Sequence, residues 1–240
     1  MRRPSWALLA VGLALIPTAA LAQDTGGLEA LFTDEGSLTL RTMQLIALLT
    51  VLSLAPGIAI TVTCFPFIVT VLSILRQAIG LQASPPNMLI VSLAMFLTYF
   101  VMEPVFVAAW QEGLRPLSEG NLTPEAAFAA TLAPFQGFMA ARVDPETLEH
   151  LRALRPDAAG DNLSVLVPSF LLSEISRAFQ IGFLVFMPFL IIDMVAAAVL
   201  MSMGMMMVPP AIVSLPFKLA FFVVVDGWTL VAGALVQSYG

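Results

Sequence analysis

From Thr42 to Leu75 the chain carries no charged residue for 34 consecutive positions, and no other feature restricts its folding as severely. As one straight helix at 1.5 Å per residue the run would reach about 50 Å, well beyond the ~30 Å hydrocarbon core of a bilayer. Something must break it, and Pro56-Gly57 and Pro66 are the candidates, because proline removes a backbone donor and its ring clashes with the preceding turn. A second uncharged run covers Gln77 to Met102, and Ser84-Pro85-Pro86-Asn87 within it reads as a turn followed by a helix from about Asn87. Together the runs predict a helical hairpin with Arg76 near its tip.

The composition says what solvent such a chain needs. Of 240 residues 59% are apolar and only 11% charged, against about half and a quarter in a soluble domain, and the mean hydropathy is +0.95. A water-soluble monomer is excluded; bilayer, or a large apolar assembly, must be part of the surroundings. The net charge of −6 comes from 16 acids and 10 bases, and the bases are scattered singly, which excludes nucleic acid as a main partner. Cys64 and His150 are the single residues of their types, so neither a disulfide framework nor a Cys/His metal site is expected. G-x-S-x-G, H-E-x-x-H and Walker loops are missing as well. No catalytic residue, metal or cofactor is expected, and the chain is read as a non-enzyme.

Met1-Arg2-Arg3, an apolar stretch from Trp6 to Ile16, and Ala20-Leu21-Ala22 before Gln23 read as the n-region, h-region and cleavage site of a secretory signal peptide; the alternative is an uncleaved first transmembrane helix, for which the apolar run falls short of the ~20 residues a span needs. This predicts segments 1–22 (signal peptide), 23–41 (periplasmic), 42–111 (first hydrophobic hairpin), 112–161 and 162–240. The 112–161 segment holds eight acids and four arginines and is expected as a small acidic helical periplasmic domain. Thr123-Pro124-Glu125 and Asp144-Pro145-Glu146 each place a capping side chain before a proline at the first helical position. Phe128, Leu132 and Phe135 would be the apolar stripe of one helix, and Leu148, Leu151 and Leu154 that of the next. The 162–240 segment is a second hydrophobic hairpin, with helices near 168–203 and 211–237 around a methionine-rich loop. The fold class is thus an all-α membrane protein of long kinked hairpins. The orientation expected has the N-terminus outside, the Arg76 loop inside, the acidic domain outside, the methionine loop inside and the C-terminus outside.

Charges inside apolar helices are costly unless paired or wet. Glu103, Glu174, Asp193, Lys218 and Asp226 are such charges. Asp193, Glu174 and Asp226 are expected as buried charges in helix or subunit contacts, or as an ion relay; the alternative is that each lies at a membrane edge. Lys218 is the only lysine, so at least one acid is expected to pair with it. Met201, Met203, Met205, Met206 and Met207 precede Val208-Pro209-Pro210. Unbranched, polarizable side chains can seal a pore flexibly, fill an irregular core, or offer thioethers to Cu(I), the last without support from a neighbouring Cys or His. Phe179, Phe183, Phe186 and Phe189 stand at helical spacing and read as a core stripe.

Arg177-Ala178-Phe179-Gln180-Ile181-Gly182-Phe183, continuing to Pro188-Phe189-Leu190-Ile191-Ile192-Asp193-Met194 and the Met201–Pro210 run, resembles the FliP family of flagellar type III export-gate proteins, SctR being the injectisome counterpart. Leu75-Arg76-Gln77-Ala78-Ile79-Gly80 with Ser84-Pro85-Pro86-Asn87, and Pro216-Phe217-Lys218-Leu219 with Val225-Asp226-Gly227-Trp228, agree with it. The resemblance covers about residues 42–240. One stretch departs: Thr63-Cys64-Phe65-Pro66-Phe67-Ile68 stands where the family usually has T-S-F-T-R-I, losing an arginine at Phe67 and gaining a proline.

The resemblance implies a homo-oligomer, a pentamer, that joins FliQ and FliR in a gate for unfolded flagellar subunits. It also implies FlhA and FlhB as partners in the export apparatus, FliO as an assembly factor, and a place in the inner membrane at the flagellar basal body. Within that gate Met205, Met206 and Met207 match the closing loop, and Glu174 and Lys218 match inter-subunit contact positions. The signal peptide and acidic domain favour the flagellar branch. The alternative from the residues alone is a proton- or metal-conducting transporter using Asp193, Asp226 and the methionines.

Overall fold

The computed structural model describes residues 38–81, 85–155, 163–205 and 207–239; the expected signal peptide lies outside them. Every regular element described is helical. In chain order they are α1 (Leu38–Thr61), α2 (Phe65–Ile79), α3 (Asn87–Ala109), a π-turn (Trp110–Leu114), α4 (Arg115–Ser118), α5 (Pro124–Arg142), α6 (Pro145–Leu154), α7 (Leu163–Ser202), α8 (Pro210–Val224) and α9 (Gly227–Gln237). The chain divides into two compact units, with the boundary after Ala55. In the first, side chains 42–54 of α1 are exposed.

In the unit from Pro56 onward the core forms around α2. Its Phe67, Ile68, Val71, Leu72, Leu75 and Ile79 are all but inaccessible and recur at helical spacing, so one face of a short helix is lost to water. Each such burial contributes roughly 1.5–3 kcal/mol. That face meets α7 and α3. On α7 the inward residues shrink where the helices approach: a Cβ added at Gly182 would stand 2.4 Å from Ile74 Cδ1. α3 presents Ile90, Ala94, Thr98 and Met102 at four-residue intervals.

The break in the first uncharged run falls at residues 62–64. α1 continues across Pro56-Gly57, while Pro66 occupies the first turn of α2, where its missing N–H has no partner to lose. Phe67 is fully buried, edge-on to Tyr239 with ring centres 5.4 Å apart. Arg76 closes the α2–α3 turn as expected, donating to Asn87 Oδ1 and, at 3.4 Å, to the Pro85 carbonyl. Both predicted caps form: Thr123 Oγ1 accepts from Ala126 N–H at 3.3 Å, and Asp144 Oδ2 from Thr147 N–H at 2.9 Å.

Four details of the sequence reading need correction. The described part of the acidic stretch is not a body of its own, for α5 packs on α3 and α7, and α6 on α7, within the second unit. Phe128 is exposed, and α5 turns Ala127 and Met139 inward instead. Small residues are required there because the π-turn backbone comes so close that a Cβ at Gly113 would lie 2.0 Å from Thr131 Oγ1 and 2.9 Å from the Ala127 carbonyl. The Phe179 and Phe183 rings likewise point outward and only Phe189 of that stripe is buried, since the α2 contact admits Ala178 and Gly182 but no ring. Finally, the expected helix 211–237 is two helices bent by 62°. Asp226 sits at the corner with φ +48°, the one described non-glycine residue in the left-handed region, which Asp tolerates better than most.

Among the described residues, three helical stretches are long and apolar enough to cross a membrane, Thr42–Thr61, Asn87–Ser118 and Leu163–Ser202, with the bent α8/α9 pair as a fourth. Most of their surface is exposed, and it is apolar.

Candidate functional site

Two polar nodes interrupt the apolar length of α7, about 28 Å apart at 1.5 Å per residue. The first lies toward its C-terminal part. Asp193, on α7, accepts from Lys218 Nζ of α8 at 2.6 Å and from Ser214 Oγ at 2.5 Å. The Lys218 ammonium also donates to the Ala78 carbonyl at 3.1 Å, one of the carbonyls a helix leaves unpaired in its last turn, at the negative end of the α2 dipole. Lys218 is buried and Asp193 partly so. A desolvated ammonium is thus held by a carboxylate and a helix end from two other elements, the arrangement that lets a charge survive in an apolar setting.

The second node surrounds Glu174, whose side chain is wholly inaccessible. Oε1 faces Arg142 Nε at 3.2 Å and Arg177 Nη1 at 3.6 Å, and Oε2 accepts from the Tyr239 hydroxyl. Arg142 also donates from Nη1 to the Ser238 carbonyl at 2.7 Å and lies 3.8 Å above the Tyr239 ring. Beside it Asp144 N–H donates to Ser173 Oγ at 2.9 Å. Burial and the neighbouring Glu174 charge push the Tyr239 phenol well above its ordinary value, so it remains a donor. Thr147's hydroxyl and N–H hold the Asp144 carboxyl below its usual range.

Glu174 and Lys218 are therefore not partners within one chain; each is satisfied by other residues. Of the three acids expected as buried charges, Glu174 is wholly buried in one node and Asp193 partly buried in the other, but Asp226 is exposed at the α8/α9 corner. Its charge stays in contact with the surroundings because it follows the last turn of α8 rather than lying inside a helix. Glu103 is exposed too. Nothing in the sequence marks Arg142, Arg177, Ser214 or Tyr239 as members of the nodes. Arg142 reads in sequence as one more base of an acidic surface, and nothing local announces that residues 32 and 97 positions later will enclose it.

The methionine run forms the end of α7 and the turn beyond it. Gly204, at φ +75°, ends the helix, with Gly204 N–H donating to Met201 O at 3.1 Å and Met205 N–H to Leu200 O at 3.0 Å, a Schellman closure. This rigid stop throws the following side chains outward: Met205 is 44% and Met207 97% exposed, while Met206 lies outside the described residues. The reading of these methionines as core filler fails for Met201, Met203, Met205 and Met207, all exposed. Next to the turn, an apolar cavity of about 450 Å³ is lined by Ile191, Val195, Val199 and Met203 together with Val213 and Phe217 of α8.

A family model described as the FliP family matches residues 48–235. The flagellar biosynthetic protein FliP of Caulobacter vibrioides is 51% identical over 237 residues, 97% of this chain and 88% of that protein. Its namesake in Bacillus subtilis is 46% identical over 203 residues, 82% of this chain and 92% of its own length. That of Agrobacterium fabrum is 45% identical over 213 residues, covering 85% and 86% respectively. With an all-helical apolar architecture and a match spanning most of its length, the chain belongs to the FliP family.

Proposed function

We propose that this chain is a core subunit of the flagellar type III protein export gate. It assembles as a pentamer with FliQ and FliR around a pore for unfolded flagellar subunits, alongside FlhA and FlhB, with FliO assisting assembly. The observation that carries this reading is the relation, over nearly the whole chain, to proteins named for flagellar biosynthesis. Physical support comes from the surface. Phe179, Phe183, Leu184 and Met194 leave one side of α7 apolar and uncovered, a surface suited to neighbouring copies or lipid and unsuited to water. The residues carry binding and positioning roles, with no chemistry of their own.

In this reading the signal peptide is removed after Ala22, the complex sits in the bacterial inner membrane at the flagellar basal body, and the acidic α5–α6 segment faces the periplasm. Met205, Met206 and Met207 from several copies converge to close the pore. Glu174 and Lys218, each buried and satisfied within its own chain, serve the contacts between copies indirectly, by holding α7 and α8 in the arrangement that neighbouring copies pack against. Native mass spectrometry of the detergent-extracted protein tests the reading: a large complex holding several copies and small membrane partners is expected. A chain that purifies alone and conducts ions in liposomes would overturn it in favour of the transporter alternative.

A further inference from the structure

We propose that Ser238 and Tyr239, which follow α9, form a releasable clasp that holds the α5–α6 corner onto α7 and so ties the seating of that corner to the position of α9. Four contacts converge on Tyr239 from three elements. Its hydroxyl donates to Glu174 Oε2 on α7, and its ring lies beneath the Arg142 guanidinium at the end of α5, 3.8 Å away. Phe138 of α5 stacks on it at 6.1 Å, and Phe67 of α2 meets it edge-on at 5.4 Å. Ser238 contributes its carbonyl, 2.7 Å from Arg142 Nη1.

The charges make this more than packing. Glu174 is fully buried, and its Oε1 shares two arginines, one of them as far as 3.6 Å; the Tyr239 hydroxyl is the donor on Oε2. Arg142 Nη2 is already buried without a hydrogen-bond partner, so beyond its Nε contact with Glu174 the guanidinium depends on the Ser238 carbonyl and the Tyr239 ring. Withdrawing Tyr239 would leave a buried carboxylate oxygen and a guanidinium face uncompensated together, and such networks fail steeply when one member is lost. Both charges regain water if residues 142–144 lift from α7, a movement then opposed by the Arg142 Nε–Glu174 ion pair at 3.2 Å, the Asp144 N–H to Ser173, a 3.5 Å contact from Arg177 to the Arg142 carbonyl and, one turn earlier, Phe138 against Phe170. Because α9 continues from α8 through the Asp226 corner, and α8 carries Lys218, the clasp also joins the two nodes of α7 through a second covalent route.

Trypsin reads the clasp directly, since cleavage after Arg142 requires its guanidinium to leave Tyr239 and enter the protease. In detergent-solubilised full-length protein, Tyr239→Ala should accelerate cleavage of the Arg142–Val143 bond about tenfold, through more frequent local opening, and leave the Arg76–Gln77 bond unchanged. Tyr239→Phe, which keeps the ring and loses the donor, should fall between, and Ser238→Ala should match the parent because it retains the carbonyl. If the alanine variant does not accumulate, the phenylalanine variant alone decides. Parent-like resistance at Arg142, or equal acceleration at Arg76 and Arg142, would overturn the clasp, the second outcome reducing Tyr239 to an ordinary part of the core.

Discussion

Lys218 gives its ammonium to Asp193, 2.6 Å away, and none of it to Glu174 in the same chain. The two acids of α7 have separate cations: Glu174 takes Arg142 and Arg177, and Asp193 takes the single lysine. Each node ties α7 to a segment distant in sequence, and the long helix is pinned at two points along an otherwise apolar length.

The Asp193–Lys218 pair should show strong coupling in a double-mutant cycle. Removing one member of a buried pair typically costs ~3–5 kcal/mol; with Asp193 a third exposed, roughly 2 kcal/mol is expected for Lys218→Met, and much of it should return in the Asp193→Asn, Lys218→Met double variant. Denaturant unfolding of the detergent-solubilised single chain measures this. The Glu174–Lys218 cycle should be near zero in that single chain, and Glu174→Gln or Lys218→Met alone should weaken the assembled complex, because each loosens the helix face a neighbouring copy packs against. Native gels report the copies held together, and an intact complex in both single variants would dismiss the proposed inter-subunit role.

Replacing Met205, Met206 and Met207 with alanine should leave assembly intact and make the membrane leaky to ions and small solutes. Thioether side chains can close against one another without unpaired polar atoms and part around a polypeptide of any sequence, whereas alanines are too short to meet. Solute influx in cells expressing the variant checks this; an assembled variant as tight as the parent would remove the methionines from the gate.

Gly113→Ala and Gly182→Ala should both destabilise, by about 1–3 kcal/mol, but should answer differently to a second change. At Gly182 the obstacle is the Ile74 side chain, so Ile74→Val should recover part of the loss. At Gly113 the new Cβ also meets backbone, Thr131 N at 2.7 Å and the Ala127 carbonyl at 2.9 Å, and trimming Thr131 to Ser or Ala should recover little. Thermal melts of the four single and double variants separate the cases.

Cys64, in the corner between α1 and α2, should resist maleimide until the protein unfolds. It is fully buried, and burial pushes its thiol from an ordinary value near 9 up to about 12. The folded state therefore holds the proton more tightly than the unfolded one. Its contribution to stability is complete below pH 9 and is lost as pH rises from there toward 12. Labelling kinetics between pH 7 and 10 should stay slow in the native protein, and rapid labelling at pH 8 would contradict the assigned burial.

What the sequence determined by itself was local or compositional. The charge-free runs dictated apolar helices, Thr123-Pro124 and Asp144-Pro145 started helices where their capping chemistry requires, and Arg76 marked a turn. Motif blocks around Arg177–Asp193 and Met201–Pro210 were enough to point to the family. Tertiary structure decided which face of each helix is inner and which cation meets which acid. A nearly uniformly apolar helix such as α7 carries no amphipathic stripe to orient it; its inner face is selected by how closely α2 can approach, which favours Gly182 and Ala178 and turns Phe179 and Phe183 outward. Charge pairing is likewise invisible along the chain, because Arg142, Glu174 and Tyr239 become neighbours only when three helices pack, and the desolvation that makes their contacts decisive exists only after they have done so.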